Sequence, residues 1–346
     1  MEKLTYKQNY SIRDEISANS PITDKYGRTF RYLRISVNER CNFRCIYCMP
    51  EKGMPFNNQN KLLNRDEILK LIQIMADLNI EKIRFTGGEP LLRKDTPQMI
   101  KFASELCSIK SINLTTNGFL LSYYIERLQA AGLTGINISL DTLSPEKFKR
   151  ITRKDGLDKV LNGLEKAINS QIPNIKVNVV TMRGFNDNEL VDFVELTKNN
   201  DITVRFIELM PFDSHQIWRT GKFYSAEQII TDLKHRVTGL STEKGSRTEK
   251  YIFRKNGYKG MIAVIPAYTR NICTDCNRIR ITADGKMMNC LYSKNETNLR
   301  DAIRGGMNDY TIKNMIRDTM QKKFINGWVA QNQGIESRES MTQIGG

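Results

Sequence analysis

Histidine is almost absent from this chain: His215 and His235 are its only two, and neither lies beside a cysteine cluster in sequence. Metal sites built mainly from imidazole are therefore not expected. Long apolar runs are missing as well. No stretch approaches the roughly 18 consecutive apolar residues of a membrane helix. The first twenty residues are polar and charged and lack the apolar segment of a secretory signal. The expectation is a soluble, cytoplasmic protein with no membrane partner. Acidic residues are in deficit, 38 against 53 Lys and Arg, for a net charge of +15. Such a balance suits polyanionic partners, either nucleic acid or phosphorylated small molecules, unless it is a solvated basic surface. No internal repeat or low-complexity tract stands out. A length of 346 residues suits two domains or one large one.

What is present is a regular alternation of strand and helix signals from about residue 31 to 211. Strand patterns fall near 33–37, 82–86, 112–116, 136–140, 175–181 and 203–209. Between the first two, Asn64 and Glu67 form a capping pattern ahead of an apolar stripe of Ile68, Leu71, Ile72, Met75 and Leu78. Ser144-Pro145 marks another helix start. Six strands, each joined to the next by a helical segment, imply a parallel sheet with helices outside it. Four motifs sit at strand C-terminal ends: Gly87-Gly88-Glu89-Pro90, Thr115-Thr116-Asn117-Gly118, Ser139-Leu140-Asp141 and Glu208-Leu209-Met210. In a parallel barrel those ends build the active site. Six units are too few to close the usual barrel, so the expected fold is α/β, an incomplete (β/α)6 TIM-like barrel that is curved and open. Residues 1–23 then form an N-terminal extension, 24–211 the partial barrel, and 212–346 a C-terminal region with a flexible tail ending in Gly345-Gly346.

Seven cysteines remain to be placed: 41, 45, 48, 107, 273, 276 and 290. Clustered cysteines in a cytoplasmic chain more often bind metal than form disulfides. Cys41-x3-Cys45-x2-Cys48 offers three ligands, one short of a structural zinc site. On a four-iron cluster, three cysteines leave one iron open to a small molecule. Cys273-x2-Cys276-x13-Cys290 is again a set of three, open to a zinc reading with a distant fourth ligand or to a second four-iron cluster. Arg278-Ile279-Arg280 lies between its members, and an extended chain would turn both guanidinium groups to one side. Arg34 and Arg84 are charged residues inside otherwise apolar strands, and a buried arginine needs an anionic partner. Cys107 falls on a predicted helix and reads as a core thiol.

The CxxxCxxC spacing within Arg40-Cys41-Asn42-Phe43-Arg44-Cys45-Ile46-Tyr47-Cys48-Met49-Pro50, followed by Gly87-Gly88-Glu89-Pro90, resembles the radical S-adenosylmethionine (SAM) superfamily. Together with the second cysteine set, Arg278-x-Arg280, the strand motifs 33–37, 84–90, 114–118, 137–141, 176–180 and 205–208, and the Gly-Gly end, the chain resembles the GTP 3′,8-cyclase family over residues 24–346. That resemblance implies two [4Fe-4S] clusters, the first on Cys41, Cys45 and Cys48 and the second on Cys273, Cys276 and Cys290. It implies SAM contacts at Tyr47, Gly88, Ser139 and Met210. It implies GTP contacts at Arg34, Arg84, Thr115, Lys176, Arg278, Ile279 and Arg280. The implied reaction turns GTP and SAM into (8S)-3′,8-cyclo-7,8-dihydroguanosine 5′-triphosphate, 5′-deoxyadenosine and methionine, and cyclic pyranopterin monophosphate synthase would take the product. A reducing electron donor is required, and a homodimer is compatible with the family. Asn38-Glu39 departs from the more usual Thr-Asp, and the segment 212–260 diverges most. Two other readings compete: a radical SAM peptide-modifying enzyme with an auxiliary cluster, and a zinc-stabilised nucleic-acid-binding protein.

Overall fold

The computed structural model describes residues 20–210, 220–245, 251–269, 273–293, 295–332 and 340–344. The N-terminal extension up to residue 19 and the Gly345-Gly346 end lie outside them.

A small antiparallel hairpin comes first, β1 Ile22–Thr23 and β2 Thr29–Phe30. The alternation then runs β3 Tyr32–Ser36, α1 Arg65–Asp77, β4 Lys82–Thr86, α2 Thr96–Ser104, β5 Ser111–Thr116, α3 Leu121–Ala130, β6 Gly135–Ser139, α4 Pro145–Thr152, α5 Leu157–Ile168, β7 Asn174–Thr181, α6 Leu190–Glu195 and β8 Ile202–Glu208. Helix α1 begins where its sequence says it should. Asn64 accepts from the Glu67 amide at 2.9 Å while Glu67 accepts from the Asn64 amide at 2.8 Å, a closed capping box. Its stripe of Ile68, Leu71, Ile72 and Met75 is buried. Ser144 caps α4 with Pro145 in the first turn.

After Pro211 the alternation fades but the sheet does not end. Helix α7 Ala226–Arg236 leads to β9 Leu240–Glu243, β10 Tyr251–Lys255 and β11 Met261–Ile265. β12 Arg278–Ile281, β13 Lys286–Met288 and β14 Glu296–Asn298 follow. α8 Leu299–Arg304, α9 Asp309–Gln321, α10 Gly327–Asn332 and α11 Met341–Ile344 complete the described chain. The strand order is β14-β13-β12-β3-β4-β5-β6-β7-β8-β11-β10-β9. β12 pairs parallel with β3 and β11 pairs parallel with β8. Eight adjacent strands are therefore parallel, not the six that periodicity predicts. The two extra strands sit in hairpins, β10–β11 and β12–β13, so neither is preceded by the helix that announces a β/α unit.

Register sorts the strand residues onto two faces. One face, carrying Leu33, Ile35, Ile83, Phe85, Leu114, Ile138, Val177 and Phe206, is buried with the helix stripes in one apolar cluster. A strand in a parallel sheet is usually apolar on both faces. Here the opposite face is polar. Arg280, Arg34, Arg84 and Asn113 lie in register, as do Thr115, Asn137, Lys176 and Thr203, and then Ser139, Asn178 and Arg205.

Cys107 differs from its sequence reading. Helix α2 ends at Ser104, and Cys107 is exposed in the turn beyond it. Ile109, two residues further on, is buried instead.

Candidate functional site: two cysteine groups and a polar sheet face

The loop after β3 carries Cys41, Cys45 and Cys48. Its backbone is fixed from within by the Cys48 and Met49 amides, which donate to the Cys45 carbonyl at 2.9 and 3.0 Å. It is fixed from outside by the Arg44 and Ile46 amides, which donate to Thr152 and Ile151 at the end of α4. Phe43 anchors it in the core, edge-on to Phe119 and Phe148. The three thiols lie close enough to act on one another. Burial pushes Cys41 up to about 11, with Glu89 adding to the effect. Burial, then Cys48 and Cys41, hold Cys45 well above the usual thiol range. Burial and then Cys41 push Cys48 up to about 12. Three cysteine thiols in one loop are the donor set of a four-iron cluster that keeps one iron open, one ligand short of a structural zinc site, and loading it would release their protons.

The ends of β4, β5 and β6 frame this loop. A Cβ on Gly87 would sit 2.3 Å from the Asn38 carbonyl oxygen, and one on Gly88 would sit 2.4 Å from that of Arg40. Only glycine lets the two segments meet, which they do through the Gly88 and Glu89 amides donating to Asn38 and Arg40. Glu89 is fully buried and its carboxylate accepts from the Leu91 amide (3.0 Å), the Thr116 hydroxyl (2.8 Å) and the Asn117 amide (2.7 Å). Burial raises this carboxyl to about 7 against the pull of those donors. Asn117 in turn donates to Asn42 at 2.8 Å and reaches the Cys41 sulfur at 3.8 Å. Tyr47 donates to Asp141 at 2.7 Å, and Asp141 also accepts from the Val180 amide at 2.8 Å. Burial raises Asp141 to about 6. Gly88, Ser139 and Met210 are half-buried beside these ends. The unusual pair is well housed: Glu39 is buried and accepts twice from Asn57, and Asn38 bonds to Arg40 and Glu89. From the far end of the chain, Ser340 donates to the Cys48 carbonyl at 2.7 Å.

The second group has the opposite electrostatics. The Cys276 amide donates to Cys273, whose carbonyl also accepts from Arg28 at 3.1 Å, and Arg28 is held by Asp24 at 2.6 Å. Burial would raise the Cys276 thiol, but Lys323 and then Arg278 hold it below its usual range. Lys323 is itself buried, donates to the Asn289 carbonyl next to Cys290, and lies over the Phe30 ring. Arg280 sits among these charges. Burial and Arg278 lower it to about 10 while Cys276 and Cys290 pull it up. Ile279 is in the apolar core, so its side chain faces away from both arginines.

Arg84 joins the site residues across β4 and β5, donating to Thr115 at 3.1 Å. Lys176 lies two strands beyond Thr115, in register with Asn137. The polar face also holds residues to which sequence reasoning gave no role: Tyr32, Lys82, Asn113, and Asn178 and Arg205 within the motifs 176–180 and 205–208. Arg205 donates through Nε to Asn178 at 2.8 Å. Their signal was a polar residue at every second strand position, which only register makes coherent.

The Radical SAM superfamily model matches residues 35–197, and the Molybdenum Cofactor Synthesis C model matches residues 202–326. The chain is 42% identical over 325 residues to GTP 3′,8-cyclase of Chlorobaculum tepidum, covering 94% of this chain and 97% of that one. It is 40% identical to the protein of the same name in Syntrophomonas wolfei, covering 93% and 99%. It is 42% identical to human Molybdenum cofactor biosynthesis protein 1, of which it spans about half, 51%. Among solved structures, Streptococcus suis SuiB bound to S-adenosylmethionine shares the fold with a TM-score of 0.60, 14% identity, and coverage of 88% of this chain and 67% of that one. With its cysteine loop, its Gly-Gly contact and its polar sheet face, the chain belongs to the GTP 3′,8-cyclase family of radical SAM proteins.

Proposed function

We infer that this chain is a radical SAM GTP 3′,8-cyclase of molybdenum cofactor biosynthesis. It converts GTP and SAM to (8S)-3′,8-cyclo-7,8-dihydroguanosine 5′-triphosphate, 5′-deoxyadenosine and methionine. The observation that carries the reading is a polar sheet face lined by Arg34, Arg84, Thr115, Lys176 and Arg280, with a three-cysteine group at the end of β3 and another ahead of β12. The strands would curve into an open, partial barrel around that face. A cluster on Cys41, Cys45 and Cys48, when bound, supplies the electron that cleaves SAM and so the radical that takes hydrogen from the ribose.

The chain's own residues then have separable tasks. Tyr47 and Gly88 border the SAM position from the loop and from β4. Ser139 and Met210 border it from β6 and β8. Arg34, Arg84, Thr115, Lys176, Arg278 and Arg280 bind and orient the nucleotide, with guanidinium forks suited to phosphate oxygens. Ile279 contributes through its main chain. Cys273, Cys276 and Cys290 would hold a second cluster, which would supply a metal site beside the nucleotide. Orientation matters because the ribose hydrogen and guanine C8 must both meet their reaction partners within near-contact distance. The product is a substrate for cyclic pyranopterin monophosphate synthase.

Anaerobic reconstitution followed by metal analysis should find about eight irons per chain, from two four-iron clusters. Incubation with SAM, dithionite and GTP should yield 5′-deoxyadenosine and a cyclised nucleotide together. SAM cleavage that GTP does not stimulate would refute the substrate, and stoichiometric zinc with little iron would refute the enzyme class.

A further inference from the structure

Positive charge concentrates where β12, β3 and β4 lie side by side. Register pairs Arg278 with Tyr32 and Tyr32 with Lys82; two residues along, it pairs Arg280 with Arg34 and Arg34 with Arg84. Residues in register on parallel strands share a face, as do residues two apart on one strand. The outcome is a small grid of cations with a single phenol among them.

Tyr32 is 7% exposed. Arg84 Nε donates to its hydroxyl oxygen. The Lys82 Nζ lies 5.2 Å, and the Arg84 guanidinium carbon 5.9 Å, from its ring centroid. On the neighbouring strand, Nη1 of Arg280 is buried and, among the described residues, has no hydrogen-bond partner. The charged groups that act on the phenol come from every strand around it: Arg84 and Lys82 from β4, Arg34 from its own strand, and Arg278 from β12. Burial opposes ionisation, yet these cations outweigh it and bring the hydroxyl down to about 7.

We propose that Tyr32 is a proton-exchanging place-holder in the nucleotide pocket. As phenolate it supplies negative charge to the cationic grid while phosphate is absent, and it takes one proton from solvent when a nucleoside triphosphate enters. The inference rests on the GTP reading of this same face. Phosphate oxygens brought among the same cations compete with the phenolate and repel it, which raises the phenol again. Binding and protonation are then linked. Above the phenol's own titration point, the apparent affinity of the wild type falls about tenfold per pH unit, because each binding event must also protonate the phenolate. Tyr32 acts here on the arginines and on the charge of the pocket, so it is a positioning residue.

The test uses reconstituted holoenzyme under anaerobic conditions. GTP binding is followed by calorimetry between pH 6 and 9 in buffers of different ionisation enthalpy, for the wild type and for Tyr32→Phe. The wild type should take up more protons per nucleotide than the variant, with the difference growing from near zero at pH 6 to about one at pH 8.5. Subtracting the variant removes the nucleotide's own phosphate titration. The dissociation constant should weaken above pH 7 in the wild type and stay flatter in Tyr32→Phe. Should that variant not fold, the wild type still decides: proton uptake above pH 7.5, where the γ-phosphate is already ionised, supports the proposal, and none overturns it. Equal proton counts in the two proteins overturn it while leaving the GTP reading intact. Failure of GTP to bind either protein at any pH overturns the substrate reading and this inference together.

Discussion

Single side chains carry much of the chemistry, and the arginines were the most legible of them. Arg34 and Arg84 stand out because a charge inside an apolar strand demands an explanation, and the sheet supplies one by turning both to the polar face. Arg280→Ala should weaken GTP binding by about tenfold or more, the range of a lost charge-assisted hydrogen bond. Iron content should remain at its wild-type level, because Arg280 is not a ligand. Calorimetry and iron analysis on the same preparation separate the two effects. Asp141 was less legible, since nothing in Ser139-Leu140-Asp141 says that the carboxylate meets Tyr47. Burial raises that carboxyl above its unfolded value, so the folded state favours its protonated form. The stability it contributes is fully present below pH 3.8 and is lost as pH rises through about 6. Asp141→Asn should remove this component. The melting temperature of the wild type relative to the variant should therefore fall between pH 4 and 7. Tyr32 and Asn113 were not singled out at all, because one tyrosine or asparagine in a strand is unremarkable until its neighbours are known.

At the scale of elements, local signals worked where the chemistry is local. The capping box of α1 was readable from Asn64 and Glu67 alone, because both partners lie within one turn. Asn64→Ala should cost about 1 kcal/mol in chemical denaturation, the usual loss for an N-cap. Glu67 has a second task that no local pattern discloses: Arg304 of α8 reaches it at 2.6 Å from across the chain. The Gly87-Gly88 turn lies between these cases. Its glycines are visible, but the reason for them is the backbone of residues 38–40 packed against it. Gly88→Ala forces the β4 turn away from the cysteine loop, since a methyl group cannot sit 2.4 Å from a carbonyl oxygen. Iron retained in the first site should fall, as read by absorbance and iron analysis, while the far-UV circular dichroism spectrum changes little. Strands β11 and β12 were the illegible elements. They sit in hairpins with no helix ahead of them, and their parallel partners are not their neighbours in sequence.

For the whole molecule, the two cysteine groups differ in electrostatic setting as well as in place. The first is crowded by its own thiols and by Glu89, the second is attended by Lys323 and arginines. The C-terminal segment lies across the first loop through Ser340. Removing residues 340 onward should expose that loop, and the iron–sulfur absorbance should bleach several-fold faster in air. The general plan of β/α units and strand-end motifs could be read from order along the chain. The sharing of one sheet between the two halves could not, because pairing between strands that are not neighbours in sequence, Met261 with Thr203 and Arg278 with Tyr32, leaves no trace in local periodicity.

That shared sheet sets a limit on how the protein can be divided. β3 and β8, the outer members of the six consecutive strands, are each covered by a strand from the C-terminal half. A fragment ending at residue 210 would leave both with open rows of amides and carbonyls, a template for pairing with other chains. The C-terminal half on its own would hold two short parallel strands with nothing between them to span the gap. In engineering terms, the boundary between the two family regions is a seam in sequence and no place to cut.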